Sequence, residues 1–360
     1  MPEVTDDNAS LEVQRVDAID ALRGSAVLVW GLAVALTPVL YSLPESGWRL
    51  AVVDQLSPSI WHGMTVYDFM LPAFLAAAGA GLVFDLERRR LKEASDAALV
   101  KRIVIRAAAL FVIGLICEWL RATSLAEMRW TGVFQRIAVC YLIAGLFGVF
   151  SGWRTHAVVA AVILLEYGLI FELVDVPGYG VGDFSVEGNL AAYTDRLWMP
   201  GRLYFSTWDP QGLFSTLPAI AVTIFGMLLG RYLLHSRNSE REESLALMLI
   251  GLVALNAGLY AGEWMPVNAY MNTPTFAVAA CGATLSVVGL VGLLAKWGVT
   301  FVVTPLCAMG RNALLLMICL ALIPALGGNN MWLILIAAVL AAMWLAQRRW
   351  FLTLSRVVPG

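Results

Sequence analysis

Long apolar stretches recur along the chain, and the short polar segments between them hold most of the charged residues. Each stretch comes close to the roughly 20 apolar residues that a helix needs to cross the hydrocarbon core of a bilayer. The pattern predicts an all-α protein, a polytopic transmembrane helix bundle of about ten helices. The predicted helices cover residues 22–43, 64–84, 103–121, 131–150, 155–174, 213–234, 244–262, 274–295, 300–326 and 331–346.

The charges in the short connections predict an orientation. Basic residues concentrate between the second and third predicted helices, at Arg88, Arg89, Arg90, Lys92, Lys101 and Arg102. The positive-inside rule places this connection in the cytoplasm, and alternation of the helices then places both termini there as well. We therefore expect a multi-pass protein of the cell membrane.

The same pattern predicts one membrane unit without a second domain. We expect a cytoplasmic N-terminal segment at 1–21, a single transmembrane bundle at 22–346 and a cytoplasmic tail at 347–360. The longest connection, 175–212, falls on the outer side. Its glycine, proline and aromatic content favours an ordered cap over a flexible linker.

Composition narrows the classes of function. The chain is 60% hydrophobic and 14% charged, with a mean hydropathy of +0.76. A net charge of −2 gives no basic surface for nucleic acid, so we expect none as a partner. The cysteines lie in apolar stretches without C-x-x-C spacing, which predicts neither a disulfide framework nor a metal site. The expected partners are membrane lipids and a small or lipophilic substrate, with a homo-oligomer possible.

Ionisable residues at membrane depth are candidates for function, because an unpaired charge there is costly. In RVDAIDALRG, Asp17, Asp20 and Arg23 share a face of the first helix, either as an ion-pair anchor or with Asp20 in catalysis. Arg311 and Asn312 in GRNALLLM lie within the ninth predicted helix. We expect both to bind substrate, the arginine through an anionic group.

A second group of candidates stands at the outer ends of predicted helices two and four. WHGMTVYDFMLP brings Trp61, His62 and Asp68 to one membrane face, with His62 either a proton acceptor or an interfacial anchor. GVFQRIAVCY places Gln135 and Arg136 at a similar depth. We predict that Asp68 pairs with Arg136 and that this pair is either structural or catalytic.

WDPQGLFSTLPAI opens the sixth predicted helix, and Asp209 with Pro210 fits the start of a helix. Capping alone would explain Asp209, although a catalytic role stays open. Most tryptophans fall at predicted helix ends, as in an interfacial belt. Trp30 and Trp208 do not fit this belt as well, and we include Trp61 and Trp208 among the substrate-binding candidates.

Together these segments resemble the heparan-alpha-glucosaminide N-acetyltransferase family of transmembrane acyltransferases. The resemblance rests on an ordered set of motifs that covers most of the chain: RVDAIDALRG, WHGMTVYDFMLP, GVFQRIAVCY, YTDRLWM, WDPQGLFSTLPAI, MPVNAYMNTPTF and GRNALL. It implies a helix bundle whose pocket receives acetyl-CoA, or another acyl-CoA, and an amino or hydroxyl acceptor.

The chain departs from the family pattern at four polar positions. Pro58 stands where the family usually has its catalytic histidine, and Val34 where it has an asparagine. Ala269 stands in place of a lysine and Gln211 in place of an acidic residue. Acyl transfer needs a base and donors for the oxyanion, so these positions bear directly on the reaction.

Two enzymatic hypotheses follow. In the first, an acyl group passes from acyl-CoA to a lipophilic or sugar-like acceptor, with His62 as a displaced base. In the second, a carboxyl among Asp20, Asp68 and Asp209 starts the acid-catalysed cyclisation of a polyprenyl chain, as in a membrane terpene cyclase, while aromatic rings stabilise the carbocation. A transporter or lipid-binding component is the non-enzymatic alternative.

Overall fold

The computed structural model describes residues 6–322, except 123, 125, 126, 237 and 238, together with 340, 341, 344 and 348. Residues 6–16 and 240 are described by their backbone alone. The described part of the chain is all-helical. Its helices are α1 Asp6–Ser42, α2 Gly47–Leu56, α3 Met70–Arg90, α4 Asp96–Trp119, α5 Val133–Phe150, α6 Trp153–Leu173, α7 Leu190–Trp198, α8 Thr216–His235, α9 Glu240–Tyr260, α10 Pro274–Lys296, α11 Thr300–Arg311 and α12 Ala313–Leu322.

The first eight predicted helices are confirmed, with shifted ends. The first begins at Asp6, well before the predicted residue 22, because helical propensity continues through its polar start. A single 3-10 turn, Tyr67–Phe69, leads into α3, which starts later than predicted. The short helices α2 and α7 were not predicted, since 10 and 9 residues carry too little apolar periodicity to stand out.

Seven of the described helices, or eight if a bent pair counts as one span, are long and apolar enough to cross a membrane. These spans run through α1, α3, α5, α6, α8, α9 and α10. Helix α4 falls outside this set, and it carries Lys101, Arg102 and Arg106 in its first half. The chain is therefore a multi-pass helical membrane protein.

The ninth predicted helix, 300–326, is broken. Helices α11 and α12 meet at Asn312 with a bend of 75°. Asn312 is fully buried at this break, so it does not lie within a continuous helix as predicted. The predicted helix at 331–346 and the predicted tail at 347–360 fall almost entirely outside the described residues.

Close packing between α3 and α8 forms the centre of the bundle. A Cβ at Gly226 of α8 would overlap the backbone of Ala76 in α3, so only glycine lets these helices approach to backbone contact. Ala73, Ala77 and Ala80 extend this interface and are fully buried. Small residues thus fix α3, which carries Asp68 at its entrance, against the helix that carries Ser215 at its start.

The connections divide the molecule into two ends. The loop end holds the long connections 43–66, 120–132, 174–215 and 261–273. The basic end holds the short connections that follow α3, α5, α8 and α10. At the loop end, α7 and the segment before it pack on an apolar cluster that includes Tyr167, Phe171 and Met271. Trp61 also donates from its Nε1 to the carbonyl of Phe184, 2.8 Å away, and so fixes this segment to the bundle.

Candidate active site

A cavity of about 320 Å³ opens at the loop end, where seven of the described helices meet the four long connections. Helices α1, α3, α4, α5, α8 and α10 contribute to its wall, and α12 closes one side. Its described lining is largely apolar and aromatic, with a few polar groups that converge on one space: Asp68, Glu118, Arg121, Arg129, Arg136, Gln211 and Asn272. We call it the loop-end cavity. Such a setting is typical of a small-molecule site.

Asp68 is the carboxylate that the sequence placed at this end, and it lines the loop-end cavity. Its Oδ2 accepts hydrogen bonds from the backbone N–H of Ser59 at 3.2 Å, and from the N–H and Oγ1 of Thr65 at 2.9 and 3.1 Å. Its Oδ1 accepts none from the described residues. The buried carboxylate is therefore held in place through one oxygen, and the other is free to act on a ligand.

Tyr270 fixes the segment that holds Asp68. Its hydroxyl donates to the carbonyl of Ser59 at 2.6 Å, and Thr65 Oγ1 donates to the carbonyl of Ser57 at 2.8 Å. Burial raises the pKa of Tyr270 to about 12, so the phenol stays protonated and keeps donating at neutral pH. The residues around Pro58 thus form a rigid wall of the cavity.

Arg129 and Asp209 form a buried ion pair beside the cavity. The guanidinium donates to both carboxylate oxygens, at 2.6 and 2.5 Å, and Thr131 Oγ1 adds a bond at 2.6 Å. Burial raises the pKa of Asp209, but the hydrogen bonds and charge of Arg129 outweigh it, so the pKa lies below its ordinary value. Helix α8 begins only at Thr216, so the predicted helix cap at Asp209 is wrong.

Arg129 also orients Gln211, because its Nη2 donates to Gln211 Oε1 at 2.6 Å. Both side chains line the cavity. With its carbonyl oxygen engaged by the guanidinium, the amide group of Gln211 is left to donate to a ligand.

Asp195, which the sequence analysis did not select, binds the backbone of the loop that contains Asp209 and Gln211. It is 1% exposed, and its carboxylate accepts from the backbone N–H of Leu213 at 2.8 Å and of Asp209 at 3.4 Å. Gly212 packs directly on this carboxylate and leaves no room for a Cβ. Burial raises the pKa of Asp195 to about 7, against the opposing effect of its hydrogen bonds.

Arg136 does not pair with Asp68, and that prediction is wrong. The guanidinium lies in the cavity wall at 3% exposure, and its Nη2 donates to Ser215 Oγ and to the carbonyl of Gly212. Arg136 bonds instead to the residues that lead into α8. No carboxylate of the described chain lies within ion-pair distance of Arg136.

The predicted aromatic candidates lie together just behind the cavity wall. Trp61 stacks on Tyr270 with ring centres 5.7 Å apart, and Trp208 meets Trp61 edge-on at 5.2 Å. Tyr270 and Phe205 of this cluster line the cavity, as does Trp30 from α1. His62 is exposed at the rim of the cluster, 6.1 Å from Trp61, and does not line the cavity. Partial burial lowers the pKa of His62.

The basic end contains a second cavity, of about 450 Å³. Its described lining includes Arg23, Arg88, Arg106 and Arg311, with Asp85 as the lining carboxylate. We call it the basic-end cavity. Asp85 accepts from Arg106 at 2.8 Å, and from Arg89 and Arg102 at 3.3 and 3.1 Å, so cations outnumber carboxylates around it.

The remaining predicted residues lie away from the loop-end cavity. Asp20 accepts from Arg23 at 2.8 Å and from Arg311 at 3.4 Å, so it belongs to an ion-pair group at the basic end, as the structural alternative predicted. Arg311 also bonds to Asp17 and lines the basic-end cavity. Gln135 is buried against α4 beside Gly114 and lines neither cavity.

Phe134 lines both cavities. It lies in the first turn of α5, one residue after the helix begins, with 4% of its surface exposed. The two spaces therefore approach each other through the bundle with this ring between them. Nothing in the sequence indicates this role, since a phenylalanine in an apolar helix is ordinarily a packing residue.

Comparison with known proteins identifies the fold's family. The chain matches the family described as heparan-alpha-glucosaminide N-acetyltransferase, catalytic, over residues 15–258, which is more than half of its length. The chain belongs to this family. Two relatives named heparan-alpha-glucosaminide N-acetyltransferase, from Homo sapiens and Mus musculus, are each 24% identical over 232 and 233 residues. The matched region is 51% of this chain and 35% of each relative, so the chain spans about a third of their length.

The four positions at which the sequence analysis expects a departure from the family pattern lie in one part of the structure. Pro58, Val34, Ala269 and Gln211 all line the loop-end cavity. These four residues thus share one space with Asp68. None of the described residues that line either cavity is a histidine. Among the described residues, no group of three His, Cys, Asp or Glu side chains is placed to hold a metal ion.

Proposed function

We propose that the protein is a membrane-embedded acyltransferase that takes an acyl group from acyl-CoA at the basic end and transfers it to a hydroxyl or amine in the loop-end cavity. The observation that carries the proposal is the pair of cavities that meet at Phe134. In this arrangement the long, thin acyl-thioester arm of the donor reaches from the basic-end cavity to the loop-end cavity. The donor and the acceptor enter from opposite ends.

The basic-end cavity suits the phosphates of the donor. Arginine guanidinium groups bind phosphate oxygens in pairs, and Arg23, Arg88, Arg106 and Arg311 line this space. Arg88 is exposed and makes no hydrogen bond or ion pair with the described residues, so its charge is available to a ligand. The basic connections beside it are the ones predicted to face the cytoplasm, where acyl-CoA is made.

In this proposal Asp68 is the catalytic base, in place of His62. The hydroxyl oxygen or amine nitrogen of the acceptor attacks the thioester carbonyl, and the free Oδ1 of Asp68 accepts the proton that this oxygen or nitrogen loses. The tetrahedral intermediate then expels the CoA thiolate, and the Asp68 carboxyl returns the proton to that sulfur. The amide group of Gln211 supplies a donor toward the oxyanion that develops between these steps.

The test begins with calorimetric binding of acetyl-CoA to the purified protein in nanodiscs, with heat-denatured protein as the control. We expect binding that weakens about ten-fold in Arg88→Gln, the loss expected for one charge-assisted contact. Asp68→Asn should keep this binding but lose the release of free CoA in the presence of acceptors. Repeated absence of binding to the folded wild-type protein would refute the proposal.

A second function is favoured by the character of the loop-end cavity. Seven aromatic residues of the described chain line it together with Asp68: Trp30, Tyr67, Phe134, Tyr204, Phe205, Tyr270 and Phe276. A protonated Asp68 would transfer its proton to an alkene of a polyprenyl chain, and the rings would stabilise the carbocation until a proton is lost back to the carboxylate. The net reaction is an isomerisation, as in a membrane terpene cyclase.

The two functions differ in what the reaction consumes. A cyclase converts a polyprenyl substrate such as squalene without acyl-CoA, and mass spectrometry would detect a product of unchanged mass and altered retention. An acyltransferase releases free CoA and gives a heavier product. Asp68→Asn abolishes either activity, so the requirement for acyl-CoA separates them.

A further inference from the structure

Three arginines of the described chain line the loop-end cavity, and their partners differ. Arg129 is paired with Asp209, with nitrogen and oxygen 2.5 Å apart, and Arg121 lies 3.5 Å from Glu118. Arg136 has no carboxylate of the described chain within 4 Å. It is also the most deeply buried of the three, at 3% exposure. The charge of Arg136 is therefore the one that the described protein leaves without a direct counter-ion.

The hydrogen bonds of Arg136 are equally incomplete. Its Nη2 is used by Ser215 and Gly212, but its Nε is buried without a partner and its Nη1 donates to no described residue. A guanidinium cannot become neutral in a protein, so it cannot escape the penalty by losing a proton. Buried charges without partners are strongly unfavourable, and a ligand that supplies an anion would relieve this.

The two acids nearest to Arg136 in electrostatic terms, Asp209 and Asp195, are occupied elsewhere. Asp209 is held by Arg129 and Thr131, and Asp195 by the backbone amides of Leu213 and Asp209. Neither can turn toward Arg136 without leaving its own buried donors unpaired. The space in front of the guanidinium is the cavity itself.

We propose that Arg136 forms an anion-binding subsite in the wall of the loop-end cavity, which selects an acceptor with a carboxylate or phosphate beside an apolar body. This inference rests on the proposed function only for the role of the ligand as acceptor. A ligand of the same chemistry is expected in the cavity whether or not the protein transfers acyl groups. The apolar part would contact Trp30, Phe134, Val222 and Phe276, which share the cavity with Arg136.

The experiment compares water-soluble probes of one shape and different charge. 4-Phenylbutyrate, 4-phenylbutanol and 4-phenylbutyl phosphate are titrated by calorimetry into the full chain in nanodiscs, near neutral pH and without acyl-CoA. We expect one of the two anions to bind at least about ten-fold more tightly than the neutral alcohol, the gain typical of a charge-assisted pair. The anionic probe with the higher affinity, carboxylate or phosphate, identifies the headgroup of the natural ligand.

Matched variants locate the effect. Arg136→Gln should abolish the preference for the anion while binding of 4-phenylbutanol persists, and Arg121→Gln, which removes the same charge from the same cavity, should retain it. Equal binding of anion and alcohol by the wild-type protein would overturn the inference, and so would a preference that survives Arg136→Gln or disappears in Arg121→Gln. If Arg136→Gln does not fold, Arg136→Lys and the wild-type comparison still decide.

Binding of adenosine 3′,5′-bisphosphate, which mimics the CoA headgroup, separates this inference from the proposed function. Arg136→Gln should leave its affinity unchanged, because the headgroup is placed at the basic end. Loss of this affinity would assign Arg136 to the donor and contradict the subsite. Wild-type protein that prefers the anionic probe but binds no bisphosphate would instead uphold the subsite and count against acyl transfer.

Discussion

Asp195 predicts an unusual dependence of stability on pH. Its folded-state pKa is about 7, against an ordinary value of 3.8, so between these values the folded chain holds a proton that the unfolded chain has lost. Stability must then fall as pH rises through this window, and the loss is complete above about pH 7. The shift is about 3 pH units, and at about 1.4 kcal/mol per unit the full effect is about 4 kcal/mol.

Asp195→Asn removes the titration and keeps a carbonyl oxygen for the N–H of Leu213. We expect the variant to lose this fall in stability, so that above neutral pH it melts higher than the wild-type protein by on the order of 5 °C. Tryptophan fluorescence during heating, at one scan rate from pH 5 to pH 8.5, gives the apparent Tm. Asp175→Asn, an exposed carboxylate in the same connection, is the control. The reasoning is refuted if the wild-type Tm rises with pH relative to that of Asp195→Asn.

Three further predictions concern the walls of the two cavities. Arg129→Gln leaves the Asp209 carboxylate buried without its cation and should destabilise the protein by about 3–5 kcal/mol; thermal melting should show partial recovery in Arg129→Gln with Asp209→Asn, and a double variant no better than the single one would contradict the pair. His62→Ala should change turnover less than about two-fold, because the exposed ring lies outside the cavity; a large loss of CoA release or of cyclised product would restore the histidine as a candidate base. Phe134→Trp should narrow the junction between the cavities and lower acyl transfer at least about ten-fold through poorer positioning of the thioester. Calorimetry should find its binding of adenosine 3′,5′-bisphosphate unchanged, and undiminished transfer would show that the acyl arm takes another path.

The helices of this protein could be predicted from apolar length alone, because the bilayer imposes that length on each span. The break at Asn312 could not, since Arg311 and Asn312 stand in an apolar stretch that reads as continuous. What bends the chain is tertiary structure, in which Arg311 reaches Asp17 and Asp20 on α1. Helices α2 and α7 were missed for the opposite reason, because they are too short for periodicity to mark them.

The sequence indicated which ionisable residues lie at the loop end better than it indicated which of them pair with each other. Asp68 and Arg136 were placed at the same end by helix alternation, and both line the loop-end cavity. Placement at the same end does not specify the direction in which each side chain points around its helix. Ser215 therefore took the place expected for Asp68 as the partner of Arg136. Arg129 and Asp195 lay in connections whose path no periodic pattern could reveal.

The ion pairs that Arg311 forms with Asp17 and Asp20 of α1 have a consequence for biosynthesis. Asp17 and Arg311 are separated by 294 positions in the chain, so the acids of α1 enter the membrane long before their cation is made. At about 5–20 residues per second, translation leaves an interval of roughly 15–60 s. During that time Arg23, on the same helix, is in place to neutralise Asp20. The ion pair between Asp17 and Arg311 can therefore form only after α11 has been made, well after α1 has entered the membrane.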